Sequence, residues 1–175
     1  ELKDKMKKLY LPQPDEKTGI IPQFDGYFDL KEIDLSVYKN ASVVGTIFHD
    51  YSGEDVQKMQ AGKQADIVEL LYQMEDITTP DNKAKNYVYY EARTLHDSSL
   101  SKAIHSITAC DLGMEKEAYE MFMSAALTDL GQEMKSSDAG IHSANMGGVW
   151  QDVVMGFGGI RIRDGHLRIA PNCPK

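Results

Sequence analysis

Helical periodicity in the middle of the chain is the feature that most constrains the fold. Apolar residues recur at spacings of three and four in successive segments, and glycine or proline separates one segment from the next. Gly113 ends the clearest segment, whose stripe consists of Leu100, Ala103, Ile104 and Ile107. Two helices joined by a short glycine-containing turn pack as an antiparallel pair. The sequence therefore predicts a mainly helical chain made of such pairs, either a bundle or an α/α toroid.

Other helices are indicated by their first residues or by their apolar stripes. Thr79–Pro80 places a capping residue before a proline at the first helical position. The stripe of the helix that follows consists of Ala84, Tyr87, Val88 and Glu91. Further stripes predict a helix after Gly62 (Ala65, Val68, Leu71, Tyr72), one that ends at Gly131 (Ala118, Met121, Phe122, Ala125, Ala126) and a buried helix (Trp150, Val153, Val154, Phe157).

The two ends of the chain are not helical in pattern. Residues 1–50 are irregular, with three prolines and two glycines in LPQPDEKTGIIPQFDGYFDL, and predict an extended segment that wraps around partner structure. Near the other end, Ile and Arg alternate from Ile160 to Arg163, and Asp164–Gly165 predicts a type I′ turn. A lone hairpin is marginal in water, so we expect further strands and a larger parent enzyme.

Composition excludes several classes of partner. A net charge of −8 argues against nucleic acid or an anionic membrane surface. The sequence has neither a run of eighteen apolar residues nor a signal-peptide core near Glu1, so we expect a cytoplasmic protein without a membrane partner. Cys110 and Cys173 form no disulfide framework. No metal is expected, because the histidines and Cys110 lack a recognised ligand spacing.

The stretch HDSSLS places two hydroxyl groups, on Ser98 and Ser99, before the clearest helix. Free amide groups and the positive end of the helix dipole attract anions at such a place. The simpler interpretation is that Ser98 or Ser99 caps the helix and His96 lies in the turn. A catalytic triad of His96, Asp97 and Ser98 is disfavoured, because sequence neighbours do not face one another as a triad requires.

A second helix start has the same character. His142 precedes Ser143, and the pair Gly147–Gly148 would allow close approach of another backbone or a ligand. If the two helices are neighbours, both starts could converge on one anion; the alternative is a cap and a packing histidine. The pair Lys63–Gln64 is a third feature, because a lysine in the first turn opposes the helix dipole. It either binds a hydroxyl-rich ligand or is a solvated surface lysine.

The chain contains, in this order, the blocks IPQFDGYFDL, KQADIVELLY, NYVYYEARTLHDSSLSKAIHSI and AGIHSANMGGVWQDVVMGFGGIRIRDGHL. Together and in this order, these blocks resemble glycoside hydrolase family 65, the inverting disaccharide phosphorylases. The resemblance implies that residues 1–158 are the C-terminal part of an (α/α)6 barrel, with 1–50 as its extended segment. Residues 159–175 would begin a small C-terminal β-sandwich.

The resemblance also implies an activity and its residues. The reaction would be phosphorolysis of an α-linked glucosyl disaccharide to β-glucose 1-phosphate and a free sugar, with inorganic phosphate as co-substrate and no cofactor. By this resemblance, sugar is contacted by Lys63 and Gln64, phosphate by Ser98, Ser99 and His142, and His96, Gly147 and Gly148 lie in the surrounding shell. Phosphate is already an anionic nucleophile, so donors that hold it replace the general base of an inverting hydrolase. Members of the family often form homodimers.

The sequence departs from the family in one respect. The general acid of the family is a glutamate in a motif that would precede this chain, and neither Glu91 nor Asp97 matches it. No catalytic residue is therefore assigned, and the 175 residues alone are expected to be inactive. Two alternatives stay open: a related α/α-barrel hydrolase, which would need a second carboxylate, and a non-catalytic fragment that binds carbohydrate or phosphate.

Overall fold

A computed structural model describes residues 1–39, 43–64, 66–130 and 140–174. In these ranges the α-helices are α1 (Leu2–Met6), α2 (Ser36–Lys39), α3 (Gly53–Val56), α4 (Asp66–Gln73), α5 (Pro80–Ala92), α6 (Ser101–Asp111), α7 (Glu115–Ala126) and α8 (Ser143–Gln151). Short 3-10 turns lie at Tyr27–Asp29, Thr46–His49 and Glu75–Ile77, a π-helical turn at Asp152–Phe157, and strands β1 and β2 at Ile160–Arg163 and His166–Ile169. The predicted mainly helical fold with a terminal hairpin is confirmed. Ala65 and Gly131, which belong to two of the predicted helices, lie outside the described residues. Among the described residues, no helix is long and apolar enough to cross a membrane.

Helices α6 and α7 form the predicted antiparallel pair. The turn between them contains Gly113 at φ 70°, a left-handed conformation that glycine adopts without strain. The Ser106 hydroxyl donates to the Ala118 carbonyl over 2.7 Å, and the Lys102 ammonium group donates to Ser124. Partners further along α6 therefore lie earlier on α7, as antiparallel packing requires.

Helices α6 and α8 are parallel. Three contacts show it: Gly148 packs against Ala103, where an added Cβ would lie 3.1 Å from the Ala103 Cβ; Ser106 bonds to Asp152 over 2.9 Å; and Gly156 lies beside Cys110. Because the contact partners advance together along both helices, α6 and α8 begin at the same end of the molecule. The antiparallel α7 packs against both, which gives the layered α/α arrangement that the sequence predicts.

Part of the irregular N-terminal segment packs against α5 of the same chain, and the expectation that the segment wraps around partner structure stays a prediction. Ile20, Ile21 and Tyr27 are buried in the main core. Asn86 on α5 fastens the segment, because its side-chain oxygen accepts from the Ile21 amide at 2.8 Å and its Nδ2 donates to the Gly19 carbonyl at 2.9 Å. The core continues through α4, α5, α6 and α7 with Val68, Leu71, Tyr87, Tyr90, Ala109 and Ala118.

The prediction of a buried helix at Trp150 and Val153 is wrong. Trp150 is 60% exposed and Val153 48%, whereas Phe157 is buried. The face of α8 and its π-helical extension that meets α6 and α7 includes the small or polar residues Asn145, Gly148 and Asp152. These side chains let the helices approach closely, and Trp150 and Val153 lie on the exposed face, whereas Phe157 packs against Phe122 of α7.

The hairpin turns its arginine face toward the helices. Arg161 is buried, and its guanidinium contacts the Glu75 carboxylate and lies 2.6 Å from Asp111. The alternate residues Ile160 and Ile162 are exposed. Asp164 and Gly165 have φ values of 50° and 75°, which confirms the predicted turn. The hairpin is thus held to the helices by ion pairs instead of by an apolar face.

Replacing Gly159 by alanine is expected to detach the hairpin. Gly159 has φ 58°, and an added Cβ would lie 1.9 Å from the Ala170 carbonyl oxygen, so strain and a backbone clash combine. Gly165→Ala is the matched control, because that φ is also positive but no atom lies within 4 Å. Hydrogen exchange of the β1 and β2 amides should accelerate far more in the first variant. Equal acceleration in both variants would show that the backbone shifts enough to relieve the clash between the added methyl group and the Ala170 carbonyl oxygen.

Candidate functional site

The backbone places Lys63 and Gln64 beside the loop that leads into α6. The Gly62 amide donates to the Arg93 carbonyl over 2.9 Å, and the Leu95 amide donates to the Gly62 carbonyl over 2.8 Å. Lys63 and Gln64 follow this short parallel bridge directly, and both side chains are exposed. A lysine there is free to meet a ligand.

A small cavity connects Gln64 with the start of α6. Its volume is about 190 Å³, and it is lined by Gln64, Asp66, Glu69, Leu100, Ser101, Ile104 and His105. Gln64, one of the two residues of the Lys63–Gln64 pair, and the start of α6 therefore face the same cavity.

The hypothesis that Ser98 or Ser99 caps α6 is wrong. The helix begins at Ser101, and Leu100 occupies the N-cap position without a side-chain cap. An additional turn precedes the helix, because the Ser101 amide donates to the Ser98 carbonyl at 3.1 Å and the Leu100 amide donates to the Ser98 hydroxyl oxygen at 3.3 Å. Within the described residues, neither serine hydroxyl donates its proton to a protein acceptor. Both hydroxyl protons are thus available to a ligand.

His142 lies at the corresponding place before α8, and it does not cap that helix either. Asp129, shortly after α7, fixes it twice: the His142 amide donates to one carboxylate oxygen at 2.9 Å and Nδ1 lies 2.6 Å from the other. The hydrogen bond from the His142 side chain holds the pKa of Asp129 below its ordinary value. The Nε2 atom has no partner among the residues that the structure describes, so it can face a ligand.

The two glycines of α8 have different surroundings. Gly148 packs against the Ala103 side chain of α6, so α6 and α8 approach closely at this position. A side chain at Gly147 would meet no atom within 4 Å. The proposed role of Gly147 and Gly148 near a ligand stays a prediction.

A buried group of polar side chains lies behind the loop of Ser98 and Ser99. Glu91 is its centre: its carboxylate lies 2.6 Å from the Lys39 ammonium nitrogen, 3.0 Å from His96 Nε2 and 2.5 Å from His105 Nδ1. Ser101 completes it, with its hydroxyl 3.0 Å from His96 Nδ1. We call these five residues the Glu91 cluster.

Burial and hydrogen bonding oppose each other in the Glu91 cluster. Burial alone would raise the pKa of the Glu91 carboxyl, but hydrogen bonds from His105 and His96 outweigh it and hold that pKa well below its ordinary value. Burial lowers the pKa of His96 to about 4, despite its bond to Glu91. Near neutral pH the cluster therefore contains an ionised Glu91 and a neutral His96.

Glu91, His96 and His105 also have donor atoms within 4.8 Å of one another, as a metal site requires. The Lys39 ammonium group already neutralises the carboxylate at 2.6 Å, and a divalent ion would add to that positive charge. The charge balance favours a metal-free cluster. The expectation that the protein binds no metal stays a prediction.

Sequence reasoning did not find the Glu91 cluster, although one signal was present. The predicted stripe of α5 already contained Glu91, and a carboxylate on an apolar stripe indicates a buried, paired charge. His105 lies in the same way among the apolar residues of α6. Nothing comparable marked Lys39, which comes from an irregular segment 52 residues before Glu91.

Comparison with known proteins decides the family. Residues 1–151 match the family model described as the glycosyl hydrolase family 65 central catalytic domain. The chain belongs to this family. It is 48% identical over 176 residues to a kojibiose phosphorylase of Halothermothrix orenii, with 100% of the chain and 22% of the relative covered. An alpha,alpha-trehalose phosphorylase of Thermoanaerobacter brockii is 37% identical, with 95% of the chain and 21% of the relative covered.

Structure comparison supports the same assignment. A human-microbiome protein assigned as a kojibiose phosphorylase superposes with a TM-score of 0.84 at 32% identity, covering 97% of this chain and 25% of that protein. The chain thus spans about 22% of the length of the curated relatives it matches. Family membership and the fold class predicted from the sequence are confirmed. The boundary at residue 158 and the ligands of individual residues stay predictions.

Proposed function

We propose that the complete protein carrying this chain is an inverting disaccharide phosphorylase. It would cleave an α-linked glucosyl disaccharide with inorganic phosphate to β-glucose 1-phosphate and a free sugar. The relatives compared above are named as phosphorylases of disaccharides, which supports the reaction class. Because the 48% identical relative is named for kojibiose, kojibiose is the first substrate to test.

The parallel arrangement of α6 and α8 carries the proposal. It places the starts of both helices at one end of the molecule, with Ser98 and Ser99 before α6 and His142 before α8. Neither set of side chains is used for capping. Two helix dipoles, two hydroxyl groups and an imidazole then suit one phosphate anion.

Each assigned residue has a part in this reaction. Ser98 and Ser99 donate to phosphate oxygens, and the His142 ring, oriented by Asp129, contacts a third position on the anion. Lys63 and Gln64 hold sugar hydroxyl groups near the cavity at the start of α6. Phosphate attacks the anomeric carbon directly, and a general acid outside this chain protonates the leaving oxygen, so the configuration inverts.

The deciding experiment uses the complete reading frame that encodes this chain. Glucose and glucose 1-phosphate are measured with kojibiose, trehalose, nigerose and maltose, each with and without inorganic phosphate. We expect glucose 1-phosphate only when phosphate is present, and the β anomer by NMR. The 175-residue chain alone is the negative control, because its general acid is expected outside it.

Other outcomes of this experiment would support a different function. Phosphate-independent release of glucose would make the protein a hydrolase. Absence of both products would favour a non-catalytic carbohydrate-binding role. The cytoplasmic location and the homodimer stay predictions of the sequence and of the family, respectively.

A further inference from the structure

We propose that the Glu91 cluster positions the phosphate-binding turn, with Glu91 acting through His96 and Ser101 on Ser98 and Ser99. This inference rests on the proposed function, since it assigns the turn at Ser98 and Ser99 to phosphate. Glu91 and His96 are therefore positioning residues in this proposal, and neither touches the reacting atoms.

Both ring nitrogens of His96 are already engaged. Nε2 lies 3.0 and 3.1 Å from the two carboxylate oxygens of Glu91, and Nδ1 lies 3.0 Å from the Ser101 hydroxyl. His96 and Ser101 are both buried. His96 thus has no free nitrogen for a phosphate, and its contacts run from the base of the loop to the first residue of α6.

The protonation pattern of this chain of bonds is fixed. An ionised carboxylate can only accept, so His96 Nε2 carries the proton that it donates to Glu91. In the neutral ring, Nδ1 is then an acceptor and the Ser101 hydroxyl donates to it. Glu91 therefore selects the tautomer of His96, and the tautomer selects the orientation of the Ser101 hydroxyl.

The backbone at His96 shows why such support is needed. His96 has φ 57°, a left-handed conformation that is unfavourable for a non-glycine residue and persists only when its surroundings enforce it. This reversal turns the chain from the bridge between Gly62 and Thr94 toward Ser98. The Asp97 carboxylate adds a second tether, because it accepts from the Gly45 amide at 3.0 Å.

The Lys39 ammonium group holds the far side of the cluster. It lies 2.6 Å from the Glu91 carboxylate, so the negative charge that orders His96 is balanced inside the protein. His105 donates to the same carboxylate from one turn inside α6. The position of the Ser98–Ser99 turn relative to α6 is in this way set by buried, charge-assisted bonds.

The test is Glu91→Gln in the complete protein. This change keeps the size of the side chain but removes the charge, and its amide cannot accept two imidazole protons equally well. We expect the KM for phosphate to rise about 10- to 100-fold, because a misplacement of about 1 Å costs that much at a positioned group. The KM for the disaccharide should change less than about twofold.

Two further variants separate positioning from stability. Ser101→Ala removes only the hydroxyl that meets His96 and suits a helix, so it should also raise the phosphate KM selectively. Glu120→Gln is the matched control, because Glu120 is exposed on α7, and it should leave both KM values unchanged. A rise in the disaccharide KM in Glu91→Gln, or a lower melting temperature with unchanged KM values, would overturn the proposal.

A binding measurement keeps the inference separable from the proposed function. Inorganic phosphate should raise the melting temperature of the wild-type protein more than that of Glu91→Gln, whether or not the wild type is active. Equal protection of the two proteins, or none in either, would overturn the positioning role. Phosphate-independent release of glucose would instead overturn the proposed phosphorylase reaction.

Discussion

Replacement of both Ser98 and Ser99 by alanine is expected to lower kcat/KM for phosphate by roughly 100- to 10,000-fold. Each hydroxyl bonded to a charged oxygen contributes about 1.5–3 kcal/mol, and each 1.4 kcal/mol corresponds to a factor of ten. The loss should be large because the hydroxyl protons have no acceptor within the described residues and so are free for the anion. Helix α6 should survive, since neither serine caps it.

Kinetics with varied phosphate and varied disaccharide give the measurement. The KM for the disaccharide should stay within a few-fold of wild type, because the sugar is assigned to Lys63 and Gln64. Ser52→Ala is the matched control: Ser52 caps the short helix α3, where its hydroxyl accepts from the Asp55 amide at 3.2 Å. That variant should lose about 1 kcal/mol of local stability and no phosphate affinity.

Each serine can also be tested separately. The Ser98 oxygen accepts from the Leu100 amide, whereas no such contact from the described residues holds Ser99. Ser98→Ala should therefore disturb the turn as well as remove a donor, and should cost more than Ser99→Ala. Full activity of the double variant would show that both serines have only a structural role and that phosphate does not bind at this helix start.

Local signals in the sequence predicted the elements whose cause is local. Thr79 accepts from the Asn82 amide at 3.3 Å and Pro80 is the first residue of α5, as the pair Thr79–Pro80 indicated. Asp164–Gly165 forms the hairpin turn, because both residues adopt the left-handed conformation that type I′ requires. Such features depend on the conformational preferences of one or two residues.

Features that depend on distant partners could not be predicted in this way. Arg161 is buried because it pairs with Glu75 and Asp111. These partners lie 86 and 50 residues earlier in the chain, and the alternation of Ile and Arg alone cannot show which face of the hairpin meets them. The start of α6 was misplaced because the serine pair suits both a cap and a preceding turn. The direction of α8 relative to α6, on which the site depends, follows only from their contacts.

Asp152→Asn is expected to stabilise the protein above neutral pH, by up to about 4 kcal/mol. Asp152 begins the π-helical turn after α8 and is fully buried. Burial raises the pKa of its carboxyl to about 7, even though the bond to Ser106 acts in the opposite direction. One carboxylate oxygen, Oδ2, is buried without a hydrogen-bond partner.

The surroundings of Asp152 favour the neutral acid. The Ser106 hydroxyl lies 2.7 Å from the Ala118 carbonyl and 2.9 Å from Asp152 Oδ1, and its single proton serves one of them at a time. When that proton serves the carbonyl, Asp152 bonds to Ser106 only as a protonated donor. The nearby Cys110 thiol is neutral because burial raises its pKa to about 12, and a thiol supplies no positive charge that could stabilise the carboxylate.

The direction of the pH dependence follows from proton binding. Between the ordinary pKa of an aspartate and about 7, the folded protein binds this proton and the unfolded chain does not. Unfolding then releases a proton, so the stability contributed here is complete below about pH 4 and is lost as the pH rises to about 7. An asparagine stays neutral throughout, and its amide can donate to Ser106 in place of the acid.

Hydrogen exchange of the amides of α6 and α8 measures the effect locally. Comparison of wild type and variant at the same pH cancels the intrinsic exchange rate, so the ratio reports stability alone. At pH 8 the variant should exchange up to about a thousandfold more slowly, and the ratio should approach one near pH 4. Asp164→Asn, in the exposed hairpin turn, is the matched control and should give no pH-dependent ratio. A pH-independent ratio for Asp152→Asn would mean that Asp152 is ionised in the folded protein, and its unpartnered oxygen would then require a donor from outside the described residues.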